Sequence, residues 1–431
     1  MNGAISRGLP IASFSALGLP FITLVFLFSG FYKGLFWSPV DLTALTGVLT
    51  LLATIPNIKL TDLRRQPAVW LLVILIGYLA LRTLPLPNPW GLRKLAETCS
   101  FGVIALLAGF VIASRIDISK SLFDLLSYSS IPMAAILTIA SASGDPFEFQ
   151  GLGSAGYQIT AAFFSLSLFA SCVSRRWLCI GFALYALCLT GNISAAIFAP
   201  IAVVIALMRS TKITDLLKGA ALAFVLVTTY SIVVSPPLLI MRAIWKIGGL
   251  EAKLNTGQAA IAPGASYKGK AGGPIGHQSS PAAPLTESLL ESLPSSMRTG
   301  QEIQTAAADR IDIYKAAWQA FKAAPIFGNG YGRLAYTVHP YPHNILLEML
   351  AEGGILAGIL LVATIVLSLP SPNNDISGFA LAAIIVFVAT AMFSGYFGGR
   401  ILMFAIGLGI GAGPVIPRLY ANFRHSKTPK V

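Results

Sequence analysis

Long apolar runs recur along the chain, separated by short polar or charged connections. A run of roughly 17–25 apolar residues crosses the hydrocarbon of a bilayer as one α-helix. The pattern predicts twelve such helices, near 10–30, 37–57, 67–84, 96–114, 121–143, 157–174, 177–191, 193–208, 216–237, 345–369, 376–396 and 400–417. It changes character once. Between 238 and 342 the apolar runs give way to polar residues, glycine and proline. The chain therefore divides into helices 1–9 over 1–237, a long hydrophilic loop over 238–342, and helices 10–12 with a basic tail over 343–431.

Composition agrees with this division. Hydrophobic residues make up 55% of the chain, charged residues 11%, and the mean hydropathy is +0.75. A soluble domain carries about 25% charged residues, so the fold class is an all-α polytopic membrane protein. The net charge of +13 is distributed as a topology signal. Lys59, Arg64 and Arg65 lie between helices 2 and 3, and Arg115 and Lys120 between 4 and 5. Arg175 and Arg176 follow helix 6, Arg209, Lys212 and Lys218 lie between 8 and 9, and Arg418, Arg424, Lys427 and Lys430 are in the tail. With twelve helices these clusters share one side, which the positive-inside rule makes cytoplasmic. Both termini are then cytoplasmic, and the long loop faces the opposite side. The connection with Arg82, Arg93 and Lys94 also falls outside; it either violates the rule or supplies cations near the outer leaflet.

Because topology and contact with anionic lipid account for the positive charge, no nucleic-acid partner is implied. Cys99, Cys172, Cys179 and Cys188 fall within expected spans and read as small packing residues. No His/Cys spacing suits a metal. The first apolar run lacks a small-residue cleavage pattern, so helix 1 is expected to be retained. No internal repeat is visible, which argues against transporters built from repeated halves.

The loop has three parts. Met241–Ile247 continues the apolar pattern of helix 9, with Arg242 and Lys246 four residues apart on one face. Residues 257–284, rich in Gly, Ala, Pro and Ser, cannot bury enough apolar surface to fold alone and read as a flexible insert. His277, inside that insert, reads as solvated. The third part, 310–321, is an amphipathic helix whose stripe is Tyr314, Ala317, Trp318 and Phe321, with Arg310 at its N-terminal end. The run Pro325–Gly332 follows, and its glycines allow positive φ and close backbone approach. The simplest reading is a helix lying on the membrane surface, followed by a connector.

Candidate chemistry collects where this loop ends. His339 and His343 sit on a proline-restricted segment, and Pro342 suits the residue before a helix, which puts His343 and Asn344 at its first turn. Free N–H groups there attract phosphates, and a histidine transfers protons near neutral pH. Helix end, imidazole and nearby arginines together suit a pyrophosphate at the membrane surface. Glu348 and Glu352, four apart on the same helix, are either functional carboxylates just inside the bilayer or simply solvated by headgroup water. The solvated or structural reading is expected for Glu352, and Glu348 stays open between the two. Arg400 is the candidate partner for one of them, and Arg333 is a further cation near that surface.

The series Arg310, Tyr314, Trp318, Pro325, Gly328-Asn329-Gly330, His343-Asn344, Glu348 and Glu352-Gly353-Gly354 resembles the signature region of the O-antigen ligase and polymerase family. The family belongs to the C superfamily of membrane glycosyltransferases. Its pattern is a His-Asn pair, nine residues, then Gly-x-x-Gly. Here His343-Asn344 leads to Gly354, and the second glycine position is Ala357, with Gly358 one step on. The resemblance implies that an undecaprenyl-pyrophosphate-linked glycan is the donor. A sugar hydroxyl of lipid A-core, or of a second lipid-linked glycan, would attack its anomeric carbon with inversion on the periplasmic side of the bacterial inner membrane. It also implies that His343 is the general base or hydrogen-bonding partner of that hydroxyl and that Arg310 grips the pyrophosphate. Arg242, Asn344, Glu348, Arg333, Arg400 and Tyr314 are the further candidate binding residues. No metal and no cofactor is expected, and the loop has no Asp-x-Asp pair.

Ligase and polymerase share donor and leaving group and differ only in acceptor; the His-Asn spacing favours the ligase. A polyprenyl-glycan flippase or other transporter is the reading from another class. It would place functional charges within the spans or show repeat symmetry, whereas the unusual polar residues gather in the external loop.

Overall fold

The computed structural model of the chain describes residues 11–29, 42–84, 88–142, 156–190, 192–208, 211–234, 313–334, 344–394 and 399–413. Over these residues the protein is all-helical, as a backbone that must pair its own polar groups in hydrocarbon requires. In chain order the helices are α1 (Ile11–Leu27), α2 (Leu42–Thr54), α3 (Leu60–Arg64), α4 (Pro67–Thr83), α5 (Pro89–Glu97), α6 (Val103–Ser114) and α7 (Ile116–Ala142). They continue with α8 (Gly156–Val173), α9 (Trp177–Thr190), α10 (Ile193–Ala202), α11 (Ile213–Val233), α12 (Ile345–Ser368), α13 (Asp375–Ser394) and α14 (Arg400–Gly411). Residues 313–323 form a further helix in the loop.

Five helical stretches are long and apolar enough to cross a membrane: Pro89–Ser114, Ile116–Ile139, Ile213–Val233, Ile345–Ser368 and Asp375–Met392. Shorter apolar helices of 10–17 residues occupy the positions of the other expected spans. Arg242, Arg310, His343 and the insert at 257–284 lie outside the described residues.

One boundary moves in a way that matters. The helix expected from residue 96 starts two turns earlier, because Asn88 caps it and Pro89 takes the first helical position. The Asn88 side-chain oxygen accepts from Gly91 N–H at 2.6 Å. A π turn at Thr98–Gly102 then joins α5 to α6. Arg93 and Lys94, expected in a connection, are therefore on a helix.

The closest packing joins α6 to α14, and glycine makes it possible. A Cβ on Gly407 would meet the Leu106 carbonyl, one on Gly411 the Phe110 carbonyl, and one on Gly109 the Phe404 carbonyl. Small residues let two backbones approach where lipid offers no hydrophobic drive to associate. Around this crossing lies one continuous apolar core, with Phe28 edge-on to Phe163 at 5.3 Å and Phe123 beside Phe379 at 4.9 Å. On the other flank α12 packs along α4, where Gly353 faces Tyr78 and Leu79.

Candidate functional site

α12 is broken in its middle. Gly354 has φ 70° and ψ −170°, a conformation outside the helical region that glycine adopts without steric cost. A break frees backbone groups that hydrocarbon cannot satisfy, and the glycine-rich run before it supplies the partners. Asn329 N–H donates to the Ala351 carbonyl at 3.0 Å, Gly330 N–H to the Glu352 carbonyl at 2.8 Å, and Ile355 N–H to the Pro325 carbonyl at 2.8 Å. The Asn329 amide nitrogen adds bonds to the carbonyls of Ala351 at 2.9 Å and Ala320 at 2.7 Å. From α4, the Tyr78 hydroxyl donates to the Gly353 carbonyl at 2.8 Å, and Arg82 donates to the carbonyls of Phe327 and Gly328 at 3.1 and 2.9 Å.

The glycines of this run behave as their composition predicts. Gly328, Gly330 and Gly332 have φ of 68°, 105° and 78°. A Cβ on Gly328 would strike the Glu352 backbone, and one on Gly332 would strike Gly91 at the start of α5. Asn88 fastens the same contact by donating to the Tyr331 carbonyl at 3.2 Å.

A buried charge cluster lies beside the break. Lys94 Nζ contacts Glu348 Oε1 at 2.6 Å and Glu352 Oε2 at 3.3 Å. Lys94 is 3% exposed and both glutamates are 0% exposed. Glu352 also accepts from Leu334 N–H at 3.3 Å, and Lys94 sits 5.0 Å from the Tyr331 ring centre. The cluster thus joins α5, α12 and the glycine-rich loop. Leaving one member of such a set unpaired costs about 3–5 kcal/mol. Glu352 is accordingly not solvated, and Glu348 is no headgroup residue. Arg400 is not their partner either: it donates to the Phe26 carbonyl at 2.7 Å and Ser29 Oγ at 2.8 Å, tying α14 to α1.

The start of α12 is built by Asn344, whose side-chain oxygen accepts from Leu347 N–H at 2.9 Å. Asn344 is therefore the cap, and His343 precedes it in sequence. The loop helix packs on this first half of α12 through Ile313, Tyr314, Ala317, Ala320 and Phe321 against Leu334, Leu347 and Ala351. Its inward face is rotated from the expected stripe. Trp318 is 46% exposed and rests against Phe321 at 5.0 Å. The helix is seated on protein and does not merely lie on a membrane surface.

Of the residues singled out from the sequence, the structure gathers Tyr314, Asn344 and Glu348 on α12 and the loop helix beside it, with Arg333 at the end of the glycine run. Arg333 is half-buried, and its guanidinium has no hydrogen-bond or ion-pair partner among the described residues. Arg400 lies apart, at the start of α14. Sequence reasoning missed Tyr78 and Asn88, which single side-chain types cannot reveal, and it placed Asn329 in the signature series without the bonds it makes to Ala320 and Ala351. It placed Lys94 and Arg82 in a connection that either violates the positive-inside rule or supplies cations near the outer leaflet, and that exception was the signal. Arg93 is the surface member of the three, paired with Glu97 at 2.9 Å.

Residues 178–362 match the family model described as O-antigen ligase. No curated protein and no solved structure matches the chain. The matched span runs from α9 past the break in α12 and includes the loop that fills it, whereas Arg82 and Lys94 lie before it. Motif residues, capped helix start and glycine-filled break all fall inside the stretch, 178–362, over which this chain matches the O-antigen ligase family.

Proposed function

We propose that the protein is a membrane glycosyltransferase that moves a polysaccharide from an undecaprenyl-pyrophosphate carrier to the terminal sugar of lipid A-core at the periplasmic face. The observation that carries this reading is the family match over 178–362, which takes in the His343-Asn344 motif and the capped start of α12. Twelve membrane crossings, cytoplasmic termini and an outward-facing loop complete the arrangement. The acceptor hydroxyl attacks the anomeric carbon with inversion and passes its proton to His343, while the carbon–oxygen bond to the pyrophosphate breaks. Arg310 grips the departing pyrophosphate, since a guanidinium stays charged and binds phosphate oxygens in pairs. The helix N-terminus at Asn344 and the half-buried Arg333 add positive potential. Arg242 is a further candidate near the start of the loop. Charge developing on the leaving group is met by fixed cations, with no divalent metal required.

The repeat-unit polymerase of the same family is the second reading, supported by the same match and differing only in acceptor. Electrophoresis of lipopolysaccharide from a deletion strain separates the two. Loss of a ligase leaves uncapped lipid A-core and long chains on the carrier lipid; loss of a polymerase leaves single repeat units on the core. Normal capping after deletion sinks both. His343→Ala is expected to lower transfer at least about 100-fold, and Arg310→Ala by roughly 100–1000-fold, with membrane levels unchanged.

A further inference from the structure

Lys94 stands outside the family-matched residues, yet its ammonium is the cation paired with both carboxylates of the motif helix. Glu348 lies four residues, about 6 Å along the axis, beyond the cap at Asn344, and Glu352 about 12 Å beyond it. Two negative charges so close beneath a helix N-terminus oppose the partial positive charge that would draw an anion there. One oxygen of Glu348, Oε2, is buried without a hydrogen-bond partner among the described residues. Lys94 balances one of the two negative charges, and no other described cation forms an ion pair with either glutamate. The three residues also bring together segments about 250 positions apart in sequence, 254 between Lys94 and Glu348 and 258 between Lys94 and Glu352.

We propose that Lys94 is a positioning residue of the transfer site: it offsets the charge of Glu348 and Glu352 and ties the first turns of α12 to α5, so that the helix start at Asn344 remains attractive to a pyrophosphate. The inference rests on the glycosyltransferase reading above and adds to it a residue from the N-terminal half of the chain. Lys94 touches no substrate; it acts through the potential and placement of α12. A purely structural pin would behave differently, because an apolar cluster of equal volume holds helices together at least as well as a buried ion pair.

The experiment uses purified full-length enzyme in detergent or nanodiscs, with a lipid-pyrophosphate-linked glycan as donor and lipid A-core as acceptor. Two unit charges about 10 Å apart at an effective dielectric of about 20 interact strongly enough to change binding roughly tenfold. Lys94→Met therefore raises the donor KM roughly tenfold, more so at low salt, and leaves the acceptor KM near its wild-type value. Lys94→Arg restores the donor KM. The charge-free variant K94M/E348Q/E352Q retains a folded core, because no buried charge is left unpaired. It brings the donor KM below that of the wild type, a gain that loss of a structural pin does not give. A wild-type donor KM in Lys94→Met, with activity lost only in proportion to folded enzyme, overturns the proposal, as does a raised donor KM in the triple variant. Wild-type enzyme that leaves the donor intact overturns the glycosyltransferase reading itself, and the role of Lys94 with it.

Discussion

Gly354 shows how one residue shapes the candidate site through its backbone alone. Its φ of 70° is the point at which α12 stops being a helix and starts again. A Cβ there would overlap the carbonyl of Ile326. Gly354→Ala therefore meets both a left-handed backbone and a backbone collision, and is expected to cost at least about 1–3 kcal/mol. Thermal unfolding in detergent should show a lowered midpoint, with transfer falling in parallel; an unchanged midpoint would mean the break is not required. The residue was visible in the sequence as the first glycine of Gly-x-x-Gly, but only as a small residue for packing. That it breaks the helix depends on Pro325–Gly330, which lies more than twenty residues earlier and supplies the missing hydrogen bonds.

At the scale of elements, the apolar pattern located the helices well, because in a bilayer hydrophobic length and helical length are nearly the same quantity. The periodic stripe of the loop helix was less well read. Trp318 fits the spacing of Tyr314, Ala317 and Phe321, yet Ile313 and Ala320 take the inward places, because α12 offers a partner surface that the sequence does not display. Pairing between distant elements was the least legible layer: nothing local to Lys94 announces Glu348 and Glu352. Helix crossings make a sharp test. Gly407→Val places a branched side chain against the Leu106 carbonyl where α14 meets α6, whereas Gly77 on α4 has no atom within 4 Å of an added Cβ. Gly407→Val should abolish the monodisperse peak in size-exclusion chromatography, and Gly77→Val should leave it intact. Equal behaviour of the two variants would contradict the close crossing.

For the whole molecule, the expected loop at 238–342 joins two stretches of different composition. The insert at 257–284, outside the described residues, is expected from its composition not to fold alone, whereas the helix at 313–323 and the glycine run after it are seated on α12. Replacing 257–284 by a short Gly-Ser linker is expected to keep lipid A-core capping at wild-type levels on an electrophoresis gel. Loss of capping in that strain, with the protein still in the membrane, would assign the insert a role in substrate handling.

The charge cluster at Lys94 also sets terms for biogenesis. Ribosomes deliver about 5–20 residues per second, so Lys94 is made roughly ten to fifty seconds before Glu348, 254 positions later. During that interval an ammonium destined for the protein interior has to wait at the membrane boundary, where its long side chain can reach headgroup water. Only a chain extended past Glu348 can bring it inside. The same ion pairs that complete the folded protein therefore distinguish a chain that has reached Glu352 from one that stops before it.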